Sequence, residues 1–185
     1  MKIGPWRRKS RDLRYQNPWI NLYHDTVVTP SGEDGQYGVV DFKSIAIGVL
    51  AIQNDQLLMV SQFRYALERE SLEIPEGGCP QNEEPLQAAE RELLEETGYQ
   101  AKSWQHLLEL DLSNSITNDR AIIFLAKDLE KAAEPRLEST EADLQSYWLS
   151  VEDALAKIDD GEIRDAITVA ALLKYARIAI RLDQR

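Results

Sequence analysis

The segment EGGCPQNEEPLQAAERELLEETGY, residues 76–99, has the least ordinary composition in the chain. Glutamates recur along it, two glycines stand near its start, and a third glycine precedes its last residue. Crowded carboxylates repel one another and destabilise a fold unless a positive charge lies among them. The segment is therefore expected either to bind a cation or to form an acidic face exposed to water.

A helix is predicted from Pro85 to the residue before Gly98, because proline suits the first helical turn and glycine suits a helix end. Leu86, Ala89 and Leu93 recur at helical spacing, so we expect them to face the core. The acidic residues of this helix then lie on a different face.

Three glutamates of the predicted helix form an acidic strip. Glu92, Glu95 and Glu96 are three or four residues apart, so their side chains are neighbours, with Arg91 beside them. Carboxylate oxygens are hard donors that suit Mg²⁺ or Mn²⁺. The glycines of residues 76–78 permit a tight loop whose carbonyls would add further ligands. The alternative is a solvated acidic helix face without a metal.

The rest of the chain alternates strand and helix patterns. Strands are predicted at residues 17–28, 37–42, 44–53, 56–63, 103–112, 121–129 and 143–150, and further helices at 151–160 and 163–182. Two hairpins are expected, one over residues 17–42 and one over residues 44–63. This order predicts a mixed α/β sandwich.

Composition excludes several classes of protein. The chain has 185 residues and a net charge of −11, which argues against a general nucleic-acid binder. A single cysteine, Cys79, allows no internal disulfide and favours a cytoplasmic setting. We expect no membrane segment, because no apolar run approaches the length of a spanning helix.

The first 14 residues are strongly basic for so acidic a chain. Their cations are Lys2, Arg7, Arg8, Lys9, Arg11 and Arg14. A basic arm could reach a phosphate or an acidic partner. We favour the simpler interpretation, a solvated tail, because chain termini are commonly mobile.

The spacing from Gly77 through Glu83 to the run RELLEETGY, residues 91–99, resembles the Nudix box at every specified position. The resemblance to Nudix hydrolases extends over about residues 17–182. It implies a Nudix-type α/β/α sandwich with a mixed sheet, here with an N-terminal β-hairpin arm. It also implies metal-dependent hydrolysis of the diphosphate bond in a nucleoside diphosphate linked to another group.

The same resemblance implies roles for individual residues. The metal ligands and catalytic carboxylates it implies are Glu92, Glu95, Glu96 and, through its carbonyl, Glu76. Arg91 and Glu83 would orient these carboxylates by charged hydrogen bonds.

Residues 61–78 resemble the approach to the box in ADP-ribose pyrophosphatases and related nucleotide-sugar hydrolases. Those enzymes carry a substrate-contacting arginine where Arg64 lies, and a guanidinium group suits a diphosphate. The alternative is a surface ion pair between Arg64 and Glu68 or Glu70.

Residues 112–126 resemble the substrate loop and following strand of these enzymes, with one departure. Ser115 stands where ADP-ribose hydrolases usually carry a proline, which leaves the base and the sugar open. Asp119 matches an acidic position that contacts the distal ribose in some relatives. The alternative for Asp119 is a turn residue that caps a strand.

The family usually supplies a further catalytic base from a loop before a late strand. Residues 134–148 offer three acids for this role, and we choose Glu141 over Glu138 and Asp143. Each of these acids would otherwise belong to a loop surface.

Residues 1–42 are predicted to form the arm and hairpin that join two subunits of a homodimer, and residues 43–185 the Nudix domain. An isolated hairpin is marginal in water, so it needs a surface to pack on. Trp19 or Tyr23 would then reach the partner's nucleobase site. The alternative for each of these aromatic residues is core packing.

Taken together, these resemblances imply a metal-dependent hydrolase that converts ADP-ribose to AMP and ribose 5-phosphate. One alternative is a hydrolase for nucleotide sugars of the GDP-mannose type. The other is a non-catalytic Nudix module that senses nucleotide metabolites, although a sensor would not need the complete acidic strip.

Overall fold

A four-stranded antiparallel sheet occupies the beginning of the chain. Its strands follow the chain order: β1 (Lys2–Ile3), β2 (Trp6–Gln16), β3 (Ile20–Val28) and β4 (Asp34–Phe42). The predicted hairpin is confirmed, since β3 and β4 pair from Val28 opposite Asp34 to Ile20 opposite Phe42. The computed structural model describes residues 1–183 and divides the chain into two units. The first unit is Met1–Ile45 with Asp111–Arg120, and the second is Ala46–Leu110 with the chain from Ala121 onward.

The basic N-terminal segment is a strand and not a solvated tail, so that prediction was wrong. Strand β2 pairs with β3 along its length, with register shifts after Arg8 and after Leu13. Ion pairs offset the positive charge. Arg11 donates two hydrogen bonds of 2.7 Å to the buried carboxylate of Asp25.

The loop of residues 112–119 belongs to the first unit. The backbone N–H of Val40 donates to the carbonyl of Ile116 at 2.8 Å, and that of Phe42 donates to Oδ1 of Asn118 at 2.6 Å. These bonds attach the loop to strand β4.

The second unit is built on a seven-stranded sheet. Its strands are β5 (Ser44–Gln53), β6 (Gln56–Arg64), β7 (Arg69–Glu73), β8 (Glu76–Pro80), β9 (Tyr99–Asp111), β10 (Arg120–Lys131) and β11 (Gln145–Ser150). The order is β11-β6-β5-β10-β9, with β7 beside β6 and β8 beside β5. Strands β5 and β10 are parallel, whereas β6 is antiparallel to β5, β7 and β11. The predicted mixed sheet is confirmed.

The predicted second hairpin is also confirmed, at the turn between β5 and β6. Ile52 pairs with Leu57 and Gln53 with Gln56. The turn residues Asn54 and Asp55 have φ angles of 51° and 60°, the conformation that a two-residue hairpin turn requires.

Besides β1 and β2, the sequence analysis missed two strands of the second unit, β7 and β8. Residues 76–78 were predicted to form a tight glycine loop, but they begin strand β8, which pairs with β5. Neither Gly77 nor Gly78 has a positive φ. A glycine-containing strand resembles a loop in sequence because glycine disfavours strands in general.

Three α-helices lie among residues 1–183: α1 (Pro85–Thr97), α2 (Val151–Asp159) and α3 (Ala166–Asp183). Helix α1 has the predicted bounds and ends at Gly98, whose φ is 71°. Helix α3 begins three residues later than predicted, because Oδ2 of Asp165 accepts from the backbone N–H of Thr168 at 2.7 Å and caps the helix there.

The core of the second unit is formed mainly by β5, β6, β10 and α3. Its fully buried side chains include Ile47, Leu50, Leu58, Met59, Ile123 and Leu172. Helix α3 crosses β5 closely, since a Cβ on Gly48 would lie 2.7 Å from a methyl of Ile167. Within residues 1–183, no helix is long and apolar enough to cross a membrane.

Candidate active site

Helix α1 buries part of its acidic strip. Ala89 and Leu93 are fully buried as predicted, but Leu86 is 39% exposed, so the expectation that it faces the core was wrong. Glu92 and Glu96 are 8% and 1% exposed. The buried face of α1 therefore includes the two carboxylates that were expected to lie away from the core, and this face packs against β8.

Strand β8 touches both buried carboxylates. A Cβ on Gly77 would lie 2.0 Å from the carboxyl carbon of Glu92, so only a glycine leaves room for that carboxylate. The backbone N–H of Glu76 donates to Oε2 of Glu96 at 3.2 Å. The glycine is needed for this close approach and not for a turn.

Arg91 ties the strip together. Its Nε and Nη2 donate to the two carboxylate oxygens of Glu83 at 3.0 and 2.8 Å. Its Nη1 donates to Glu92 at 2.7 Å and to Glu95 at 3.1 Å. Nη2 also donates to the carbonyl of Gly78 at 2.8 Å. One guanidinium thus holds three carboxylates and the β8 backbone together.

The electrostatics of the buried carboxylates are unfavourable in the protein alone. Burial raises the pKa of Glu96 well above its ordinary value, and the charges of Glu141 and Glu92 add to this rise. Burial also raises the pKa of Glu92, against the hydrogen bond and charge of Arg91. The pKa of Glu76 is raised well above normal by burial and then by the carboxylate of Asp165. Such a group of acids calls for a positive charge.

The residues present fit a divalent cation. Oε1 of Glu76 and Oε1 of Glu96 are buried and have no hydrogen-bond partner among residues 1–183. An unpaired buried carboxylate oxygen is costly, and it is a hard donor that suits Mg²⁺ or Mn²⁺. Within residues 1–183 no three His, Cys, Asp or Glu side chains form a preassembled metal cage.

Glu141 ends a short 3₁₀ helix, Ser139–Glu141. Its charge is among the causes that raise the pKa of both Glu92 and Glu96, after burial in each case. Burial also raises the pKa of Glu141 itself. The structure therefore brings this predicted base within electrostatic reach of the acidic strip.

Arg64 ends strand β6 and is paired with Glu73, not with Glu68 or Glu70 as the ion-pair alternative proposed. Nε of Arg64 donates to both oxygens of Glu73 at 2.9 and 3.1 Å, and Nη2 makes a further hydrogen bond to Oε2. The carboxylate is buried, whereas the arginine side chain is 37% exposed.

Ser115 and Asp119 lie in the first unit, in the loop attached to β4. The carbonyl of Ser115 accepts a hydrogen bond from the hydroxyl of Tyr37. The carbonyl of Asp119 accepts from the backbone N–H of Leu112 at 3.0 Å and closes the loop. Burial raises the pKa of the Asp119 carboxyl. The backbone of Asp119 thus closes the loop, while its side chain keeps the proposed substrate contact as a prediction.

Several other lone residues take structural positions. Cys79 is buried in β8, where its Sγ donates to the carbonyl of Glu83 at 3.3 Å, and burial raises the pKa of the thiol. Trp19, for which core packing was the alternative, is 67% exposed.

The sequence analysis missed three groups at this site: the carboxylates of Glu73, Glu76 and Asp165. Asp165 follows the pattern of a helix cap, which signals an N-terminus but not a neighbour of Glu76. Glu73 and Arg64 share a face only because β6 and β7 are antiparallel, and β7 was not predicted.

Two domain families match the sequence. The NUDIX domain matches residues 43–172, and the nucleoside diphosphate sugar hydrolase N-terminal domain matches residues 6–40. The first match covers more than half of the chain.

Known proteins agree with these matches. The ADP-ribose pyrophosphatase of Bacillus subtilis (strain 168) is 34% identical over 154 residues, which is 83% of each chain. The ADP-ribose pyrophosphatase of Mycobacterium tuberculosis (strain ATCC 25618 / H37Rv) is 33% identical over 154 residues, covering 82% of this chain and 74% of that one. The crystal structure of an ADP compounds hydrolase superposes with a TM-score of 0.84 at 20% identity, over 96% of this chain and 95% of the other.

The structural match confirms the predicted Nudix-type α/β/α fold. The complete acidic strip, the Arg91 contacts and the glycine against Glu92 lie within the matched NUDIX segment. The chain therefore belongs to the NUDIX family and is a pyrophosphohydrolase similar to ADP-ribose pyrophosphatases.

Proposed function

We propose that this protein hydrolyses the diphosphate bond of ADP-ribose, giving AMP and ribose 5-phosphate, and that the reaction requires Mg²⁺ or Mn²⁺. The observation that carries this proposal is the buried, unpartnered Oε1 of Glu96, on the helix face that also buries Glu92 and beside the backbone of Glu76. A hydrolase that works on an acidic substrate needs a cation at such a place.

The proposed ligands are the carboxylates of Glu92, Glu95 and Glu96 with the carbonyl of Glu76. A bound divalent cation would neutralise charge on the phosphate oxygens and lower the pKa of a bound water. The carboxylates of this strip are oxygen donors, and two of them have been removed from water by burial. A role in binding a cation is supported because these two carboxylates are buried and Oε1 of Glu96 has no hydrogen-bond partner among residues 1–183.

Three other residues are proposed to orient the carboxylates, accept a proton and bind the diphosphate. Arg91 keeps the carboxylates of Glu92 and Glu95 in place by hydrogen bonds, which supports its role as an organiser of the strip. Glu141 is the proposed base that accepts a proton from the attacking water, because burial raises its pKa and a raised pKa makes a carboxylate a better proton acceptor. Arg64 is proposed to bind the diphosphate through its exposed edge.

Ser115 and Asp119 are proposed to contact the sugar side of the substrate. Their support is the resemblance of residues 112–126 to a substrate loop, together with the half-buried carboxyl of Asp119. Ser115 stands where a proline is usual in ADP-ribose hydrolases. Faster hydrolysis of another nucleotide sugar, such as GDP-mannose, would therefore revise the proposed substrate.

The choice of ADP-ribose is supported by the names of two relatives, both ADP-ribose pyrophosphatases. The full-length protein should be incubated with ADP-ribose, GDP-mannose and other nucleotide sugars, with millimolar Mg²⁺ or with EDTA. The nucleoside monophosphate that is released should be measured. We expect AMP from ADP-ribose only with metal. Binding of nucleotide without any hydrolysis would favour the sensor alternative.

We also propose that residues 1–42 form a dimerisation segment and residues 43–185 the catalytic domain. The support is the exposure of apolar side chains in the first unit. Leu13, Tyr15 and Trp19 are each more than half exposed. A subunit surface would cover these side chains, since contiguous apolar surface is typical of surfaces that bind another protein.

A further inference from the structure

Three buried polar side chains, Gln62, Ser71 and Glu73, lie on the pair formed by β6 and β7. Val60 lies opposite Glu73, Gln62 opposite Ser71 and Arg64 opposite Arg69. Directly opposite residues of antiparallel strands share a face, and every second residue of a strand returns to it. Arg64 and Glu73 therefore lie on one face, and the arginine side chain reaches back along β6 past Gln62.

The bond between Arg64 and Glu73 leaves part of the guanidinium unused. Nε and Nη2 of Arg64 are both occupied by the carboxylate of Glu73, while Nη1 makes no hydrogen bond within residues 1–183. Glu73 is 2% exposed and lies on the inner side of the pair. The unused edge of the guanidinium is therefore the edge that solvent and a ligand can reach.

The positive charge of Arg64 also acts on two buried carboxylates of the candidate site. Burial and neighbouring carboxylates raise the pKa of Glu96, and the positive charge of Arg64 is one of the groups that oppose this rise. The same opposition is found at Glu76.

A lone arginine at the end of a strand has many rotamers, and a ligand that binds it must restrict them. A buried carboxylate that fixes two of its nitrogens removes this freedom before the ligand arrives. The side-chain carboxylate of Glu73 has no hydrogen-bond partner among residues 1–183 besides Arg64. Its carboxylate therefore holds a single partner, the guanidinium of Arg64.

We propose that Glu73 is a positioning residue, which holds the guanidinium of Arg64 so that its free edge receives the diphosphate of the substrate. This inference rests on the proposed function, because it assigns Arg64 to the diphosphate. It adds a residue that lies outside the acidic strip and does not touch the substrate.

The test compares full-length variants in steady-state kinetics and in direct binding. Glu73→Gln keeps the shape of the side chain but replaces one accepting oxygen with an amide group that donates. Because this amide would face the N–H donors of Arg64, one of the hydrogen bonds to the guanidinium is lost. We expect KM for ADP-ribose to rise about tenfold while kcat changes by less than about threefold, the pattern of lost ground-state and transition-state binding alike. The Kd of ADP-ribose in EDTA, measured by calorimetry, should weaken by a similar factor.

A double-mutant cycle separates positioning from a general structural role. Arg64→Lys removes the fork that the diphosphate would meet, and it should weaken Kd by about as much as Glu73→Gln. If Glu73 acts through Arg64, the double variant should bind within about twofold of Arg64→Lys alone, because residues that act as one unit are not additive. Fully additive losses would overturn the inference.

Two more variants guard the interpretation. Glu130→Gln removes a carboxylate from an exposed pair with Lys102 in the same unit, so it matches the charge change and should leave KM unaltered. Glu73→Asp keeps the charge but withdraws it by one methylene, and its Kd should lie between those of the wild type and Glu73→Gln. If Glu73→Gln does not fold, an unchanged Kd in Glu73→Asp overturns the inference.

The outcomes also distinguish this inference from the proposed function. A wild type that neither binds nor hydrolyses ADP-ribose overturns both. A wild type that hydrolyses ADP-ribose, together with a Glu73→Gln variant of unchanged KM and Kd, overturns the role of Glu73 alone.

Discussion

A Cβ atom on Gly77 would lie 2.0 Å from the carboxyl carbon of Glu92 and 2.1 Å from its Oε1. Side-chain atoms do not approach so closely, so the contact between strand β8 and the Glu92 carboxylate exists only because residue 77 is glycine. The φ of Gly77 is not positive, and a larger residue would be tolerated by the backbone itself. The absence of a side chain at residue 77 therefore allows the Glu92 carboxylate to lie against strand β8.

Gly77→Ala should lower kcat by about 100-fold, the cost of a displacement of roughly 1 Å in a catalytic group. The added methyl must push the Glu92 carboxylate away from β8, and Arg91 with it, since the two are hydrogen-bonded. The measurement is steady-state hydrolysis of ADP-ribose with Mg²⁺. Gly38→Ala is the control for a methyl added to a strand glycine, because nothing lies within 4 Å of that position, and its melting temperature should not fall. A Gly77→Ala enzyme with wild-type kcat would show that the contact with Glu92 does not matter.

Glu95→Gln and Glu96→Gln should each lower kcat by roughly 10³-fold or more, since a lost metal ligand costs several kcal/mol of transition-state stabilisation. The fold should survive both changes. Glu96→Gln removes a buried carboxylate whose burial raises its pKa, so the metal-free variant should be at least as stable as the wild type. Turnover is measured at saturating Mg²⁺ alongside a thermal melt in EDTA. Near wild-type turnover in both variants would refute the metal site.

Magnesium should stabilise the wild-type protein against heat. A ligand that binds only the folded state at about 100 times its Kd adds about 2.7 kcal/mol, which corresponds to a rise of about 5–10 °C for a chain of this size. The measurement is the melting temperature in EDTA and in increasing Mg²⁺ or Mn²⁺. The rise should be much smaller in Glu96→Gln, and a melting temperature independent of metal in the wild type would count against the site.

The elements with strong local signals could be predicted from the sequence. Helix α1 has a proline at its first turn and a glycine after its last, and both bounds agree with the prediction. The turn at Asn54 and Asp55 lies between two apolar runs and was predicted because both residues are typical of turns. These signals depend on a few neighbouring residues and not on the rest of the fold.

The missed features depend on residues far apart in the chain. Strand β8 forms because β5 offers it a hydrogen-bonding edge, which outweighs the poor strand propensity of its two glycines. Leu86 has the spacing of a core residue, but the core lies toward β8, on the side of Ala88 and Glu92. The partner of Arg64 could not be chosen among nearby glutamates without the register of β6 and β7.

Asp25 should make the stability of the protein depend on acid pH. The hydrogen bonds from Arg11 hold the pKa of this carboxyl below its ordinary value, against the effect of burial. A carboxyl with a lowered folded pKa stabilises the fold fully above its unfolded pKa of about 3.9, and this contribution disappears as the pH falls through the folded value.

Asp25→Asn should therefore lower the free energy of unfolding at pH 7 by about 1–3 kcal/mol, the usual contribution of charged hydrogen bonds. The difference from the wild type should shrink as the pH falls below about 4. Urea unfolding at a series of pH values measures both quantities. Asp12→Asn is the control, because Asp12 is exposed and its contact with Arg14 is 3.5 Å long, so its stability should be nearly unchanged. Equal effects of the two variants would contradict the prediction.

The full-length protein should sediment as a dimer at micromolar concentration. Leu13, Tyr15 and Trp19 are more than half exposed in the first unit, and burial of such side chains contributes about 25 cal/mol for each Å² of apolar surface. Removal of residues 1–42 is a poor test, because the loop of residues 112–119 would lose its hydrogen bonds to Val40 and Phe42. Leu13→Ser with Trp19→Ser keeps those bonds and changes only exposed side chains. This double variant should sediment as a monomer and show a higher KM for ADP-ribose, while Phe63→Ser, an exposed apolar residue of the second unit, should remain dimeric. A wild-type monomer with full activity would exclude the dimer.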